Sequence, residues 1–272
     1  MMDDIAKYNQ AQWDELAQAN VVFSRPFLDL DPQSAREVVD PQRIMGDVTG
    51  KDVLCLASGG GQQSVAFALL GARVTVFDLS ATQLQRDQEA AAHYQVRIQA
   101  VQGDMRDLSR FGNASFDIVW HAYSINFVPD ARVVFREVAR VLRPAGLYRI
   151  ECSNPFFAGV SEEDWNGSGY PLTRPYIDGA ELEFADPDWT VDAGDGTSQR
   201  VKGPREFRHT LSTVVNGLIE QGFVMLGVWE ESSGDPAAEP GTWEHLKAVA
   251  PPWLTFWAIY RPDIFKEMNS PS

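Results

Sequence analysis

A glycine-rich loop and two well-separated acids give this sequence the residue types that bind a nucleoside. Gly59, Gly60 and Gly61 follow an apolar run, and Asp78 ends a second apolar run. Glycines leave the loop backbone open to a ligand, and an acid about twenty residues further on can accept hydrogen bonds from both hydroxyls of a ribose. Asp104 is the other acid, and it follows a third predicted strand. This spacing predicts a cofactor that contains a nucleoside.

The pattern around the loop indicates a strand, a helix and a second strand. Residues 53–57 are apolar without polar alternation, which is typical of a parallel strand covered on both faces. Residues 62–70 have an apolar side and stop at Gly71, which predicts a helix. Residues 73–77 form the second strand, so the loop and Asp78 are expected at the carboxyl ends of neighbouring strands.

The rest of the chain repeats this alternation. Ser80 is a good N-cap for a helix over residues 81–93, and Pro129-Asp130 opens another helix. A further helix is predicted at 210–221, a turn at 143–146, and strands at 96–101, 116–121, 147–152, 222–230 and 253–260. The order predicts an α/β fold whose ligands bind at the carboxyl edge of the sheet.

Residues 1–45 precede the first sheet strand and begin with apolar and aromatic residues at helical spacing. Such a segment is either a lid over the ligand or extra packing against the core. As a lid it would bring Tyr8, Trp13 and Arg25 to the substrate.

Residues 153–208 interrupt the alternation of strands and helices. The segment is acidic, irregular and rich in glycine, proline and aromatic residues. It is either a cap over the substrate or an insertion with its own small core. The predicted organisation is therefore a helical lid (1–45), a cofactor-binding core (46–152), an inserted cap (153–208) and a completion of the core sheet (209–272).

The charge of the chain disfavours a nucleic acid as partner. Its 23 basic and 38 acidic side chains give a formal net charge of −15, whereas binding to a polyanion needs the opposite sign. No apolar run approaches the roughly 20 residues of a membrane span, and the start of the chain lacks the apolar stretch of a signal peptide. Cys55 and Cys152 both fall in predicted buried strands. These features predict a cytoplasmic protein with no membrane partner.

The motifs together resemble a class I S-adenosylmethionine-dependent methyltransferase of the group that includes the ubiquinone/menaquinone-biosynthesis type. The resemblance covers residues 47–152 by motif and 210–261 by topology. It departs from the family pattern at Cys55, where an acid is frequent, and at Ala57-Ser58-Gly59, where Gly-Cys-Gly is frequent. The matching stretches are VLCLASGGG, VFDLS, VQGDM, FDIVWHAYSINFV and REVARVLRPAGLY.

The resemblance implies a Rossmann-like, seven-stranded, mostly parallel sheet with an antiparallel last strand. It implies transfer of a methyl group from S-adenosyl-L-methionine to a small-molecule acceptor by in-line displacement, which leaves S-adenosyl-L-homocysteine. By the same resemblance, the cofactor would contact Ala57, Ser58, Gly59, Gly61, Asp78, Leu79, Asp104, Met105 and the backbone of His121.

Three residues at or just after the end of the fourth predicted strand each have two possible roles. His121 is either a general base beside the transferred methyl group or a residue that meets the cofactor only through its backbone. Tyr123 and Asn126 either face the substrate or pack against the next helix. No His, Asp and Glu cluster has the spacing of metal ligands, so no metal site is expected.

Two other functions remain compatible with the glycine-rich loop. Gly59-x-Gly61-x-x-Ser64 nearly matches the fingerprint of NAD(P)-dependent oxidoreductases, although the chain has no Tyr-x-x-x-Lys pair. A protein that binds S-adenosylmethionine without catalysis would show the same loop. The sequence is compatible with a monomer and with a homodimer.

Overall fold

The computed structural model describes residues 2–184, 188–192, 197–230 and 233–264. The helices and strands in these residues are α1 (Asp4–Gln18), α2 (Pro32–Val39), β1 (Asp52–Leu56), α3 (Gln63–Leu69), β2 (Arg73–Asp78), α4 (Ala81–Tyr94), β3 (Ile98–Gln102), β4 (Phe116–His121), α5 (Ala131–Val141), β5 (Leu142–Ser153), β6 (Asp188–Asp192), β7 (Ser198–Lys202), α6 (Leu211–Glu220), β8 (Phe223–Glu230), α7 (Trp243–Val249) and β9 (Trp253–Tyr260).

A seven-stranded sheet in the order β3-β2-β1-β4-β5-β9-β8 forms the centre of the molecule. Strands β1 to β5 pair in parallel, and β9 lies antiparallel between β5 and β8. This confirms the predicted sheet with its antiparallel last strand. The chain leaves β1 in one direction towards β2 and returns on the other side as β4, and ligands of open α/β sheets bind at such a reversal of strand order.

Two apolar cores cover the faces of the sheet. Leu54 and Leu56 of β1 belong to the core under α5 and α6, whereas Val53 and Cys55 belong to the core under α2 and α3. All four side chains are inaccessible to solvent. The alternation of side chains along a strand explains this division, and burial on both faces explains why β1 has no polar alternation.

Two local differences from the predicted elements have clear backbone causes. Gln95 adopts a left-handed conformation (φ 56°) after α4, so β3 begins two residues later than predicted. The turn predicted at 143–146 lies inside β5, because the pairing of β4 with β5 shifts register between Phe116 and Ile118. Ala145 has a positive φ of 65° at this irregularity.

The cap segment contains a hairpin that the sequence did not predict. Strands β6 and β7 pair antiparallel, with Trp189 opposite Val201. Val191 and Val201 pack against Leu16 and Val21, so the hairpin shares a small apolar cluster with the N-terminal segment. In the described part of the chain, none of the helices has the length and apolar character needed to cross a membrane.

Candidate active site

A cavity of about 520 Å³ lies at the carboxyl edge of the sheet. The loops after β1, β2, β3 and β4 form its floor, the end of β5 and the start of β9 form one side, and α1 forms part of its wall. Polar groups of the first three loops lie in one half of the lining. Aromatic side chains dominate the other half.

Asp78 joins the first two loops in the polar half. Its Oδ2 accepts a hydrogen bond of 2.9 Å from the Gly59 amide, and its Oδ1 accepts one of 2.8 Å from the Ser80 amide. Burial raises the pKa of Asp78 to about 6. A Cβ at Gly59 would lie 2.6 Å from Cβ of Gln83 and 3.1 Å from the Asp78 carboxyl carbon. The approach of the loop to this acid therefore requires glycine.

Asp87 of α4 also binds the glycine-rich loop, on residues that follow Gly59. Its carboxylate accepts hydrogen bonds from the amides of Gly60 (2.9 Å) and Gly61 (3.0 Å) and from the Ser64 hydroxyl. The side chain is inaccessible to solvent, and this burial raises its pKa to about 7. The acid also adds to the upward shift in the pKa of the buried Cys55 thiol. Asp87 is therefore the anchor of the glycine-rich loop.

Arg106 links the third loop to the N-terminal segment. Its guanidinium donates to Asp104 at 2.6 and 3.0 Å and to Asp3 at 2.7 and 3.0 Å. Both carboxylates raise the pKa of Arg106, and the guanidinium lowers the pKa of Asp3 to about 2. This double ion pair fastens the start of α1 beside Asp104.

Three further side chains of α1 bind the site loops. Gln10 donates to the Leu79 carbonyl at 3.1 Å, and Asn9 donates to the Phe127 carbonyl at 3.0 Å. Asp14 accepts hydrogen bonds from the Ser80 hydroxyl (2.5 Å) and the Thr82 amide (3.1 Å). The helix thus contacts the loops after β2, β3 and β4.

The aromatic half of the cavity is a continuous wall of edge-to-face contacts. Trp13 lies 5.1 Å from Phe127 and 6.2 Å from Trp189, measured between ring centroids. Tyr123 lies 6.0 Å from Phe127 and 6.4 Å from Trp253. Such pairs hold one another in fixed orientations and expose large apolar surfaces. We call these five rings the aromatic wall.

One carboxylate lines the cavity beside the aromatic wall. Glu151 accepts a hydrogen bond of 2.7 Å from Arg149 through its Oε2. The Arg149 guanidinium in turn lies 4.0 Å from the Trp120 ring centroid. Stacking and ion pairing therefore fix Glu151 in place on this side of the site.

Comparison of the chain with known proteins shows the family to which it belongs. The family model of a methyltransferase domain matches residues 54–150. An uncharacterized methyltransferase of Bacillus subtilis (strain 168), YbaJ, is 33% identical over 196 residues, which cover 71% of this chain and 74% of that protein. The chain belongs to the class I S-adenosylmethionine-dependent methyltransferases. The family does not support the oxidoreductase alternative.

Other relatives of this methyltransferase are more distant. A ubiquinone biosynthesis O-methyltransferase of Xanthomonas oryzae pv. oryzae (strain PXO99A) is 30% identical over 149 residues, 51% of this chain and 59% of that protein. A solved putative S-adenosylmethionine-dependent methyltransferase from Listeria monocytogenes aligns with a TM-score of 0.62 at 19% identity, over 84% of this chain and 98% of that one. One from Mesorhizobium loti aligns with a TM-score of 0.61 at 23% identity, over 86% and 100%. The two structures show the shared fold.

The polar half of the cavity fits the cofactor of this family. It combines the loop residues Ala57, Ser58 and Gly59 with Asp78 at the strand end, the position from which an acid binds the ribose hydroxyls in folds of this kind. Gln83 also lines the cavity, and its buried Oε1 atom has no hydrogen-bond partner among the described residues. This buried oxygen lies against the glycine-rich loop, 3.2 Å from the position that a Cβ at Gly60 would take.

Most of the residues predicted from the sequence to form the site line this cavity. They are Trp13, Ala57, Ser58, Gly59, Asp78, Leu79, Asp104, Met105 and Tyr123. Their roles towards cofactor and acceptor remain predictions, because the cavity lining shows their position alone.

Four other predicted residues have structural contacts away from the lining. The Gly61 amide is used by Asp87. Asn126 accepts from the Ser153 amide and donates to the Phe207 carbonyl. The Tyr8 hydroxyl lies 3.5 Å from the Gly203 carbonyl, and Arg25 donates to the carbonyls of Asn20 and Asp192. In the structure Gly61 contacts the core, and the other three residues join the lid, cap and core; their roles towards cofactor and acceptor remain predictions.

His121 does not suit the role of general base. Its imidazole is inaccessible to solvent and lies outside the cavity lining. Its Nδ1 shares a hydrogen bond of 2.8 Å with the Tyr148 hydroxyl. Burial and the nearby Arg149 cation lower its pKa to about 3. The ring stays neutral inside the core, which leaves the backbone contact as the other predicted role.

We expect the His121 imidazole not to titrate between pH 5 and 8. The charged form would have to be buried next to Arg149, so protonation begins only near pH 3. Proton NMR of the ring resonances across this range, assigned with a His121→Gln variant, measures the expectation. A chemical-shift titration with a midpoint above pH 5 would restore His121 as a candidate base.

Sequence reasoning missed several side chains that build the site. Asp87 has a usable signal, because it shares a buried helix face with Leu84 and Ala91. The sequence contains no comparable indication for Glu151 and Trp253, because only the pairing of β5 with β9 brings these distant residues to the same site. In the described ranges, no group of three or more His, Cys, Asp or Glu side chains is arranged to hold a metal ion.

Proposed function

We propose that this methyltransferase methylates a small, largely apolar acceptor bound against the aromatic wall. The observation that carries the proposal is that one cavity joins the polar loops of the cofactor half to five packed aromatic rings. Pockets with apolar linings and few convergent polar groups are typical of small-molecule sites. The net charge of −15 supports an acceptor other than a nucleic acid.

The reaction would be an in-line displacement in which a nucleophilic atom of the acceptor attacks the methyl group. S-adenosylmethionine supplies that methyl group already activated on a sulfonium. The protein then has to align the two reactants, which is worth about 7–11 kcal/mol for well-oriented groups. The first three loops would fix the cofactor, and the aromatic wall would orient the acceptor and exclude water.

Glu151 would receive a proton from the acceptor. It lines the aromatic half of the cavity, and Arg149 holds its Oε2. A proton acceptor is needed only when the acceptor nucleophile is an acidic O–H, N–H or C–H group.

The chain would work in a reducing compartment such as the cytoplasm, which the free, buried Cys55 and Cys152 support.

Replacing Glu151 by glutamine is expected to lower kcat about a hundredfold while the affinity for S-adenosylmethionine stays unchanged. General base catalysis typically contributes about 10²–10⁴ in rate, and Glu151 lies beside the acceptor half of the cavity. Single-turnover kinetics with an acceptor from the screen below measure the effect. The matched control is Glu89→Gln on the exposed face of α4. A kcat equal to that of the control would remove Glu151 from the mechanism.

The proposal is tested first by calorimetric titration with S-adenosylmethionine, S-adenosylhomocysteine and NAD(H). We expect micromolar binding of the first two alone. A screen of phenols, amines and thiols with radiolabelled S-adenosylmethionine then searches for the acceptor. Quenching of tryptophan fluorescence by a true acceptor, lost in Trp13→Ala, would support the aromatic wall as its site. Transfer only to RNA or protein would overturn the proposal.

A further inference from the structure

A second cavity lies in the cap, separate from the candidate active site. It has a volume of about 140 Å³ and shares no lining residue with the larger cavity. It is lined by residues from two segments, 155–160 and 171–176, together with Arg208, which lies just before α6. Two arginine residues, Arg174 and Arg208, are among the residues that line it.

Hydrogen bonds hold the Arg208 side chain, but one of its three nitrogens has no hydrogen-bond partner among the described residues. Its side chain is buried, with 5% of the residue exposed. Its Nη1 donates to the Pro175 carbonyl at 2.9 Å, and its Nη2 donates to the Ala158 carbonyl at 2.6 Å. The buried Nε has no hydrogen-bond partner among the described residues. The Nη1 atom also lies 3.5 Å from the Arg174 carbonyl, so carbonyls fix the plane of the guanidinium while its Nε–H stays unpaired.

Arg174 adds a second cation to the same cavity. Its buried Nη1 likewise has no partner in the described part of the chain. A Cβ at Gly159 would lie 2.5 Å from this nitrogen, so the side chain packs directly over a glycine. Arg174 lies close enough to Arg208 to lower the pKa of Arg208, in addition to the larger effect of burial.

The pair of cations has no carboxylate partner among the described residues. This is unusual in a chain with 38 acidic side chains. Arg208 is buried whereas Arg174 is partly exposed, and a buried charge is normally paired because an uncompensated charge is costly to remove from water. Two adjacent guanidiniums with free donors match the geometry with which arginine binds carboxylates and phosphates.

An aromatic pair supplies the apolar part of the cavity. Phe156 and Tyr176 stack with their centroids 5.3 Å apart and their planes 5° from parallel. The Tyr176 hydroxyl accepts a hydrogen bond of 2.8 Å from the Leu211 amide, which fixes the ring. Both rings remain more than a third exposed, at 55% and 44%. A planar ligand group could therefore pack against them beside the two arginines.

We propose that this cap cavity binds a small molecule that carries an oxyanion, either a carboxylate or a phosphate, next to a planar apolar group. The charges of Arg174 and Arg208 would attract and hold the oxyanion, and Phe156 and Tyr176 would cover the planar group. The site is separate from methyl transfer and stands whether or not the acceptor proposed above is correct.

Calorimetry on the whole chain, with and without saturating S-adenosylhomocysteine, tests the proposal. The probes are benzoate, phenyl phosphate, inorganic phosphate and the neutral benzamide. We expect benzoate or phenyl phosphate to bind at least tenfold more tightly than benzamide, and the preferred anion identifies carboxylate or phosphate as the group recognised. Binding that disappears when S-adenosylhomocysteine is present would place the probe in the larger cavity and overturn the proposal.

Variants assign the binding to the two arginines. Arg174→Gln is expected to weaken the better probe by at least about tenfold, because it removes a charge-assisted hydrogen bond. Arg110→Gln on the exposed loop after β3 is the matched control and is expected to bind as the unchanged protein does. Arg208→Gln removes structural hydrogen bonds as well, so its melting temperature is measured beside its affinity. No binding of either aromatic anion at millimolar concentration, or equal binding by Arg174→Gln, would contradict the proposal.

Discussion

Replacing Asp78 by alanine is expected to weaken the binding of S-adenosylmethionine by roughly ten- to a hundredfold. The carboxylate lies in the cavity lining at the end of β2 and is oriented by the amides of Gly59 and Ser80. A hydrogen bond to a charged group is worth about 1.5–3 kcal/mol, and every 1.4 kcal/mol is tenfold in affinity. Titration calorimetry with S-adenosylmethionine and S-adenosylhomocysteine measures the loss.

The control for this variant is Asp107→Ala. Asp107 lies on the loop after β3 and is exposed outside the cavity lining. The control is expected to bind both ligands as the unchanged protein does. If a folded Asp78→Ala protein retained full affinity, the ribose would have to be recognised by other groups, and the assignment of the polar half would fail.

Replacing Asp87 by alanine is expected to destabilise the protein by about 3 kcal/mol or more. The change leaves the amides of Gly60 and Gly61 and the Ser64 hydroxyl without their acceptor, and each unsatisfied buried group costs about 1–3 kcal/mol. At about 2–4 °C per kcal/mol, the melting temperature should fall by roughly 6–12 °C. Glu89→Ala on the exposed face of α4 is the matched control. Equal melting temperatures for the two variants would show that the loop does not depend on Asp87.

The pH dependence of stability gives an independent check on Asp87. Burial raises its pKa in the folded protein to about 7, above the ordinary value of 3.8. The folded state therefore binds the proton more tightly, so this group stabilises the protein most below about pH 4, and its contribution declines as the pH rises towards 7. The amide side chain in Asp87→Asn does not titrate in this pH range, so the variant lacks this pH-dependent contribution to stability. The stability of the unchanged protein relative to Asp87→Asn, from urea unfolding, should fall between pH 4 and pH 7.

The central sheet was predictable because its strands carry a strong signal. A strand buried on both faces has to be apolar throughout, and β1 and β4 meet that requirement at nearly every position. The same property hides the direction of individual side chains. Trp120 and His121 belong to opposite faces of β4, yet both are buried. The sequence therefore placed His121 at the carboxyl edge without showing that its ring lies in the core against Tyr148.

The sequence predicted where the cap segment lies in the chain, but neither its strands nor the positions of its aromatic side chains. Its aromatic residues have no period, so nothing in the sequence separates Trp189, which lines the larger cavity, from Phe156 and Tyr176, which line the smaller one. The hairpin that carries Trp189 packs on the N-terminal cluster of Leu16 and Val21. Contacts between segments so distant in sequence arise only from the tertiary arrangement.

The attachment of α1 to three site loops has a consequence for the timing of catalysis. Trp13 and Asn9 form part of the cavity wall, while Asp3, Gln10 and Asp14 fasten the helix beside the loops after β2 and β3. If a ligand beneath the helix leaves through this side of the cavity, these contacts have to break first, so we expect them to lengthen its residence time. Opening of such elements limits turnover in many enzymes. Side chains that never meet the transferred methyl group would then determine how many acceptors are processed each second.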